Sequence, residues 1–170
     1  ELYAVNLGTD PIGVSVDGRS PVEVPPEGYR RLDLVGGTSR VVVDGPSGDR
    51  HAFSVTTDHS HALVKVSKKG CLAASDIRPL YGKSRGDGSP EVIARLSRDR
   101  RVYVPGTFDV IWPRQSFPET IRSRGPVVWI ETVACELLDK PDYLDQYLRV
   151  RARERMKPDR PRRPTRPRRE

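Results

Sequence analysis

No apolar run in this chain exceeds four residues, residues 127–130 being one such run, against the roughly 20 that a membrane-crossing helix needs. Spanning helices are therefore not expected. Cysteine is scarce, with two residues and no C-x-x-C pair, which removes the dithiol redox motifs. No nucleophile elbow, phosphate-binding loop or zinc-protease helix occurs, and no paired carboxylates stand in apolar surroundings. Without these signatures an enzyme is not expected. Hydrophobic residues make up 35% and aromatics 6% of the 170 residues, whereas an average domain is roughly 45% apolar. The length suits one ordinary domain or two small ones with a modest core. The first residue is Glu1 rather than methionine, which points to a processed chain or an excised fragment, and no signal peptide is legible at its start.

Charge is present in quantity but is unevenly placed. Lys and Arg number 30 against 23 Asp and Glu, a net +7. Residues 149–170 hold 11 basic and 3 acidic side chains, +8 in all, so residues 1–148 carry 19 against 20 and are net −1. The body is neutral, and a polyanion-binding reading applies only to the C-terminal helix and tail.

Residues 1–80 read as short strands with turns every eight to twelve residues and no helical period, the pattern of an antiparallel β-sandwich. The strands fall near residues 2–7, 13–17, 29–34, 40–43, 51–55, 61–66 and 71–77. Asp17-Gly18 is a hairpin signal. Pro25-Pro26-Glu27-Gly28 is a turn in which proline presets φ and glycine accepts a positive φ. Gly36-Gly37 and Asp44-Gly45-Pro46-Ser47-Gly48 are two more. The expected core comprises Val14, Val16, Leu32, Leu34, Val41, Val43, Phe53, Val55, Leu63 and Val64, with Leu63 and Val64 on opposite faces because neighbours in a strand point apart.

Residues 81–90, rich in Gly, Ser and charge, read as a loop or linker. Residues 91–135 add strands near 92–96, 102–104, 108–112 and 127–133, packed on the sandwich. Pro105, Pro113, Pro118 and Pro126 bracket them, which suits sheet edges. Residues 136–157 read as an amphipathic helix. Pro141 sits in its first turn, Leu144, Leu148, Ala152 and Met156 follow at i+4 spacing, and Asp145 faces Arg149. Residues 158–170 form a basic polyproline tail.

Three constellations bear on chemistry. In Asp58-His59-Ser60-His61, a strand places His59 and His61 on one face, where with His51 they would suit Zn²⁺ or Cu²⁺, and Asp58 or Cys71 would supply a fourth ligand. The alternative is a polar strand entry that needs no metal or other cofactor. Cys71 and Cys135 either form a disulfide joining the first sandwich to the second segment or stay as two buried thiols. Arg85-Gly86-Asp87 spells an integrin-type tripeptide, for which a solvated turn is the expectation.

In the tail, Pro158, Pro161, Pro164 and Pro167 recur every three residues, the period of polyproline II. Arg160, Arg162, Arg163, Arg166, Arg168 and Arg169 would then line its other edges and take nucleic acid, anionic lipid headgroups or acidic polymers without sequence readout. Arg155-x-x-Pro158-x-x-Pro161 and Pro161-x-x-Pro164-x-Arg166 also match SH3-type ligands. The alternative is a solvated, disordered terminus.

Val14-Ser15-Val16-Asp17-Gly18, Pro26-Glu27-Gly28-Tyr29 and Arg40-Val41-Val42-Val43 together resemble bacterial PEGA-type domains, small surface-associated β-sandwiches with a V-x-V-D-G hairpin, a P-x-G turn and a closing strand. The resemblance covers residues 14–43. It implies an extracytoplasmic, non-enzymatic adhesion or scaffolding role. The expectation is thus an all-β protein: an immunoglobulin-like or PEGA-like antiparallel sandwich with further strands, a C-terminal amphipathic helix and a Pro/Arg tail. Its expected function is a non-catalytic interaction or scaffolding module, the extracytoplasmic or periplasmic part of a larger bacterial envelope protein with a protein or envelope partner. Two alternatives stand beside it. One is a nucleic-acid-associated protein, in the cytoplasm, acting through the helix and tail. The other is a metal-binding β domain.

Overall fold

A computed structural model describes residues 1–57, 61–82, 88–97 and 102–156, with Val102, Val104 and Pro105 described by their backbone alone. The secondary structure is mostly β. The strands are β1 (Leu2–Asn6), β2 (Ile12–Val16), β3 (Val22–Val24), β4 (Gly28–Leu32), β5 (Gly37–Asp44), β6 (Arg50–Thr57), β7 (His61–Lys65), β8 (Cys71–Asp76), β9 (Glu91–Leu96), β10 (Val102–Gly106), β11 (Asp109–Ile111) and β12 (Val127–Val133). Short 3₁₀ turns cover Arg78–Tyr81 and Cys135–Leu137, and α1 runs Pro141–Met156.

The strands form three four-stranded sheets, ordered β10-β7-β1-β4, β3-β2-β5-β6 and β11-β12-β8-β9. Side-chain alternation stacks them. In β1, Leu2 and Ala4 pack with Val14, Val41 and Val43 of the second sheet. Tyr3 and Val5, between and beyond them, pack with Leu72, Val128 and Ile130 of the third. The first sheet is therefore the middle layer and is buried on both faces, which explains why β1 and β7 lack the alternation of one-sided strands. The third sheet repeats the device. Leu72 and Ala74 face the first sheet, while Cys71, Ala73 and Trp129 face Leu144, Leu148 and Ala152 of α1. β10 also lies against β6 and β3 against β4, so the first two sheets partly cover each other's edges.

Two expectations change. Not all pairing is antiparallel: β1 runs parallel to β7, and β11 parallel to β12. Turn spacing reports only sequential neighbours, and the second sheet lies in the chain between β1 and β7. The strands on either side of residues 81–90 pair with each other, β8 with β9, and β10 returns to pair β7. Of the proline-bracketed strands, β9, β10 and β11 are edges, but β12 is central, between β11 and β8. Pro126 stands just outside its ladder, so the missing N–H costs β12 nothing.

The expected core residues are buried except Leu32, Leu34 and Phe53, which are partly buried against it. The Asp17-Gly18 hairpin has φ of 51° and 73°, the paired left-handed geometry of a tight hairpin turn. Asp17 Oδ1 accepts the Arg40 amide at 2.7 Å, tying that turn to β5. Two buried polar groups, at the last residues of the parallel strands β1 and β7, stiffen one end of the stack. Asn6 donates to the carbonyls of Asp10 (2.8 Å) and Val24 (3.3 Å) and accepts the Gly8 amide at 2.8 Å. The Lys65 ammonium donates to the carbonyls of Ser67 and Lys69, shaping the turn into β8.

Candidate ligand-binding cleft

Alternation in the middle sheet gathers aromatic rings where it meets the third. Tyr3 of β1 points that way, and Tyr29 of β4 pairs with Val5, whose side chain does the same. Trp112 follows directly on β11 and stacks on Tyr29, with ring centroids 3.5 Å apart and planes 12° from parallel. Tyr3 meets Trp112 and Phe108 at 5.8 Å each, and His61 meets Phe108 edge-on at 5.2 Å. Trp112 is 6% exposed and Tyr29 37%, so one ring is anchored inside and its partner is presented to solvent. The Tyr3 hydroxyl donates to Glu1 at 3.0 Å. Burial, then that carboxylate, pushes its pKa up to about 12.

Beside the stack lies a cleft of about 430 Å³ lined by Val5, Leu7, Tyr29, Cys71, Trp112 and Val133, with Glu27 and Arg114 also on its wall. Both of these charged residues adopt left-handed backbone, φ 46° and 73°. Non-glycine residues rarely do so, and such conformations persist where surrounding structure enforces them. At Glu27 the enforcement is the Pro25-Pro26 turn, whose left-handed residue is Glu27 rather than the expected Gly28. Gly28 is needed for space, since a Cβ there would come within 2.8 Å of the Pro25 ring. At Arg114 it is the Trp112–Gln115 turn, where the Trp112 amide donates to Gln115 Oε1 at 2.9 Å and the Gln115 amide to the Trp112 carbonyl at 3.1 Å. The guanidinium of Arg114 meets Glu27 at 3.5 Å, the two side chains being 84% and 63% exposed. Such an exposed pair is weak and easily exchanged.

The residues singled out by sequence distribute differently. Cys71 and Cys135 are joined in a disulfide, with Cα atoms 5.2 Å apart. It ties β8 to the turn before α1 and leaves Cys71 no thiolate to offer a metal. His61 and His51 lie in different sheets. His61 Nδ1 is 2.9 Å from the Phe108 carbonyl, and Nε2 is 3.5 Å from Glu1. His51 lines a second cleft of about 320 Å³, with Asp10, Asp49 and Lys68. Asp58 and His59 lie outside the described residues. Among the described residues no three His, Cys, Asp or Glu side chains group to hold a metal ion. Arg85-Gly86-Asp87 and the tail arginines Arg160, Arg162, Arg163, Arg166, Arg168 and Arg169 also lie outside the described residues.

The helix arginines are described, and three of them face carboxylates. Arg149 meets Asp145 at 3.0 Å, and Arg151 meets Glu154 at 2.7 Å. Arg151 and Arg155 each approach the buried Glu131 of β12 at 3.7 Å, which pins the second half of α1 to the third sheet. Burial pushes the Glu131 carboxyl above its usual range, with Arg151 and Arg155 opposing that rise.

Tyr29, Trp112, Glu27 and Arg114 were not legible as a site. They come from two segments some 85 positions apart, and the one local signal is a tryptophan followed by Pro113. No protein-family model matches the chain, and no curated protein matches it significantly.

Proposed function

We propose that this chain is a non-catalytic interaction module from the extracytoplasmic part of a larger bacterial envelope protein, built on a PEGA-like sandwich formed by its first and second sheets. The observation that carries the reading is the Cys71–Cys135 disulfide. Disulfides persist in oxidising compartments and are reduced in a bacterial cytoplasm. The second support is the cleft beside Tyr29 and Trp112, which offers a ligand a ring face, a guanidinium and a carboxylate. These groups bind and orient.

The nucleic-acid alternative is weakened because Arg151 and Arg155 already face the buried Glu131 within the fold. The tail remains a second contact surface for anionic polymers or lipid headgroups in this proposal. The test is fractionation of cells carrying the full-length gene product, with protease added to intact and to permeabilised cells. The reading expects the chain outside the cytoplasmic membrane, cleaved once the outer barrier is opened. Recovery in the cytoplasmic fraction would overturn it.

A further inference from the structure

The geometry points to the cleft beside Tyr29 and Trp112 as a binding site for an acidic saccharide, a sugar ring that carries a carboxylate. The inference draws on the envelope reading for where such a ligand is met, but its chemistry comes from the cleft alone.

Three features select that class. The first is the ring stack. Trp112 covers one face of Tyr29 at 3.5 Å, while Tyr29 as a residue stays 37% exposed. A flat, preoriented aromatic face is electron-rich and attracts the polarised C–H bonds on one side of a pyranose ring. Tyrosine has few side-chain torsions to freeze, and here the stack holds it in place.

The second is the charge at the rim. Arg114 and Glu27 are held across the cleft by two left-handed backbones, and their pairing is long and exposed. A ligand carboxylate would replace Glu27 as the partner of Arg114, whose planar fork suits bidentate carboxylate binding. Glu27, released, would accept hydrogen bonds from sugar hydroxyls beside it. A neutral sugar leaves Arg114 on Glu27 and gains no charge-assisted contact from it.

The third is shape. The cleft of about 430 Å³ falls within the roughly 300–1,000 Å³ of small-ligand sites. Val5, Leu7 and Val133 give it an apolar wall, and Gly28 and Tyr29 of the edge strand β4 line its other side. This wall favours a compact ring with polar groups on its circumference.

The experiment is a calorimetric titration of the full chain with trigalacturonate, maltotriose and triglutamate, repeated with Arg114→Gln and with Tyr29→Ala. Both variants leave the tail arginines in place, and circular dichroism checks that each folds. Trigalacturonate is expected to bind best. Arg114→Gln should weaken it by about tenfold or more, the worth of one charge-assisted contact. Tyr29→Ala should weaken trigalacturonate and maltotriose alike. Equal or tighter binding of triglutamate would assign the cleft to acidic peptides and overturn the proposal. So would unchanged affinity in Arg114→Gln, which would move binding to the tail, or no binding of trigalacturonate at all. None of these outcomes alters the compartment result, so failure of the ligand class and failure of the envelope reading are separable.

Discussion

Leu63 and Val64 are neighbours in β7, both fully buried, and they serve different cores. Leu63 packs with Leu72, Val128 and Ile130 toward the third sheet. Val64 packs with Val14, Val41 and Val43 toward the second. One strand thus holds two interfaces together, and the cleft opens at the end of the Leu63 interface. The stack places α1 on the far side of the third sheet, so four layers follow one another from the second sheet to the helix.

Leu148→Ala should cost about 2–5 kcal/mol of stability, because Leu148 is 0% exposed between α1 and the third sheet and the loss leaves a cavity. Urea denaturation of the oxidised protein measures it. A cost near zero would mean that the helix does not depend on this contact.

Breaking the disulfide should destabilise the fold by about 4 kcal/mol in the chain-entropy treatment, since the bridge spans 64 residues. Denaturation midpoints with and without reductant, and of a Cys71→Ser, Cys135→Ser double variant, check this. Matching midpoints would remove the bridge from the stability of the stack.

Glu131 and Asp76 should give stability opposite pH slopes. Burial holds Glu131 above its usual 4.5. The native state then keeps that proton to higher pH than the unfolded chain, so its contribution is full at acid pH and is lost as pH rises through the raised value. Burial works against the charge of Asp76, but the Arg78 guanidinium and the Arg78 and Val127 amides outweigh it and hold the carboxyl below 3.8. Its contribution is present above the ordinary value and is lost as pH falls through the lowered one. Stability measured from acid to neutral pH should therefore decline less with rising pH in Glu131→Gln, and fall less on acidification in Asp76→Asn. Unchanged profiles in both variants would contradict the assignment.

Deleting residues 157–170 removes seven basic and two acidic side chains and takes the net charge from +7 to +2. Heparin retention should then fall and lose most of its salt dependence. Thermal stability should stay nearly constant, because a polyproline strand buries little. Equal retention by both forms would place anion binding in the folded body.

Much of the local structure was legible, and the reasons are specific. Asp17-Gly18 announces a turn because few residue pairs accept two positive φ angles. Leu144, Leu148 and Ala152 announce a buried helix face by their spacing, and all three are buried. The stacking was not legible. A strand buried on both faces, such as β7 or β8, shows no alternation that says which layer each residue meets. The parallel partner of β1 lies beyond the whole second sheet. The cleft was hidden for the same reason, since its rim joins Glu27 to Arg114, which no local spacing connects.

The most direct test of the central claim is a count of free thiols in the full-length protein taken from its own cells, trapped with a mass-tagged alkylating agent before any reductant is added. The account predicts that Cys71 and Cys135 are both unlabelled until the protein is reduced, as expected of a disulfide formed in an oxidising compartment. Labelling of both cysteines without reduction would contradict the extracytoplasmic module.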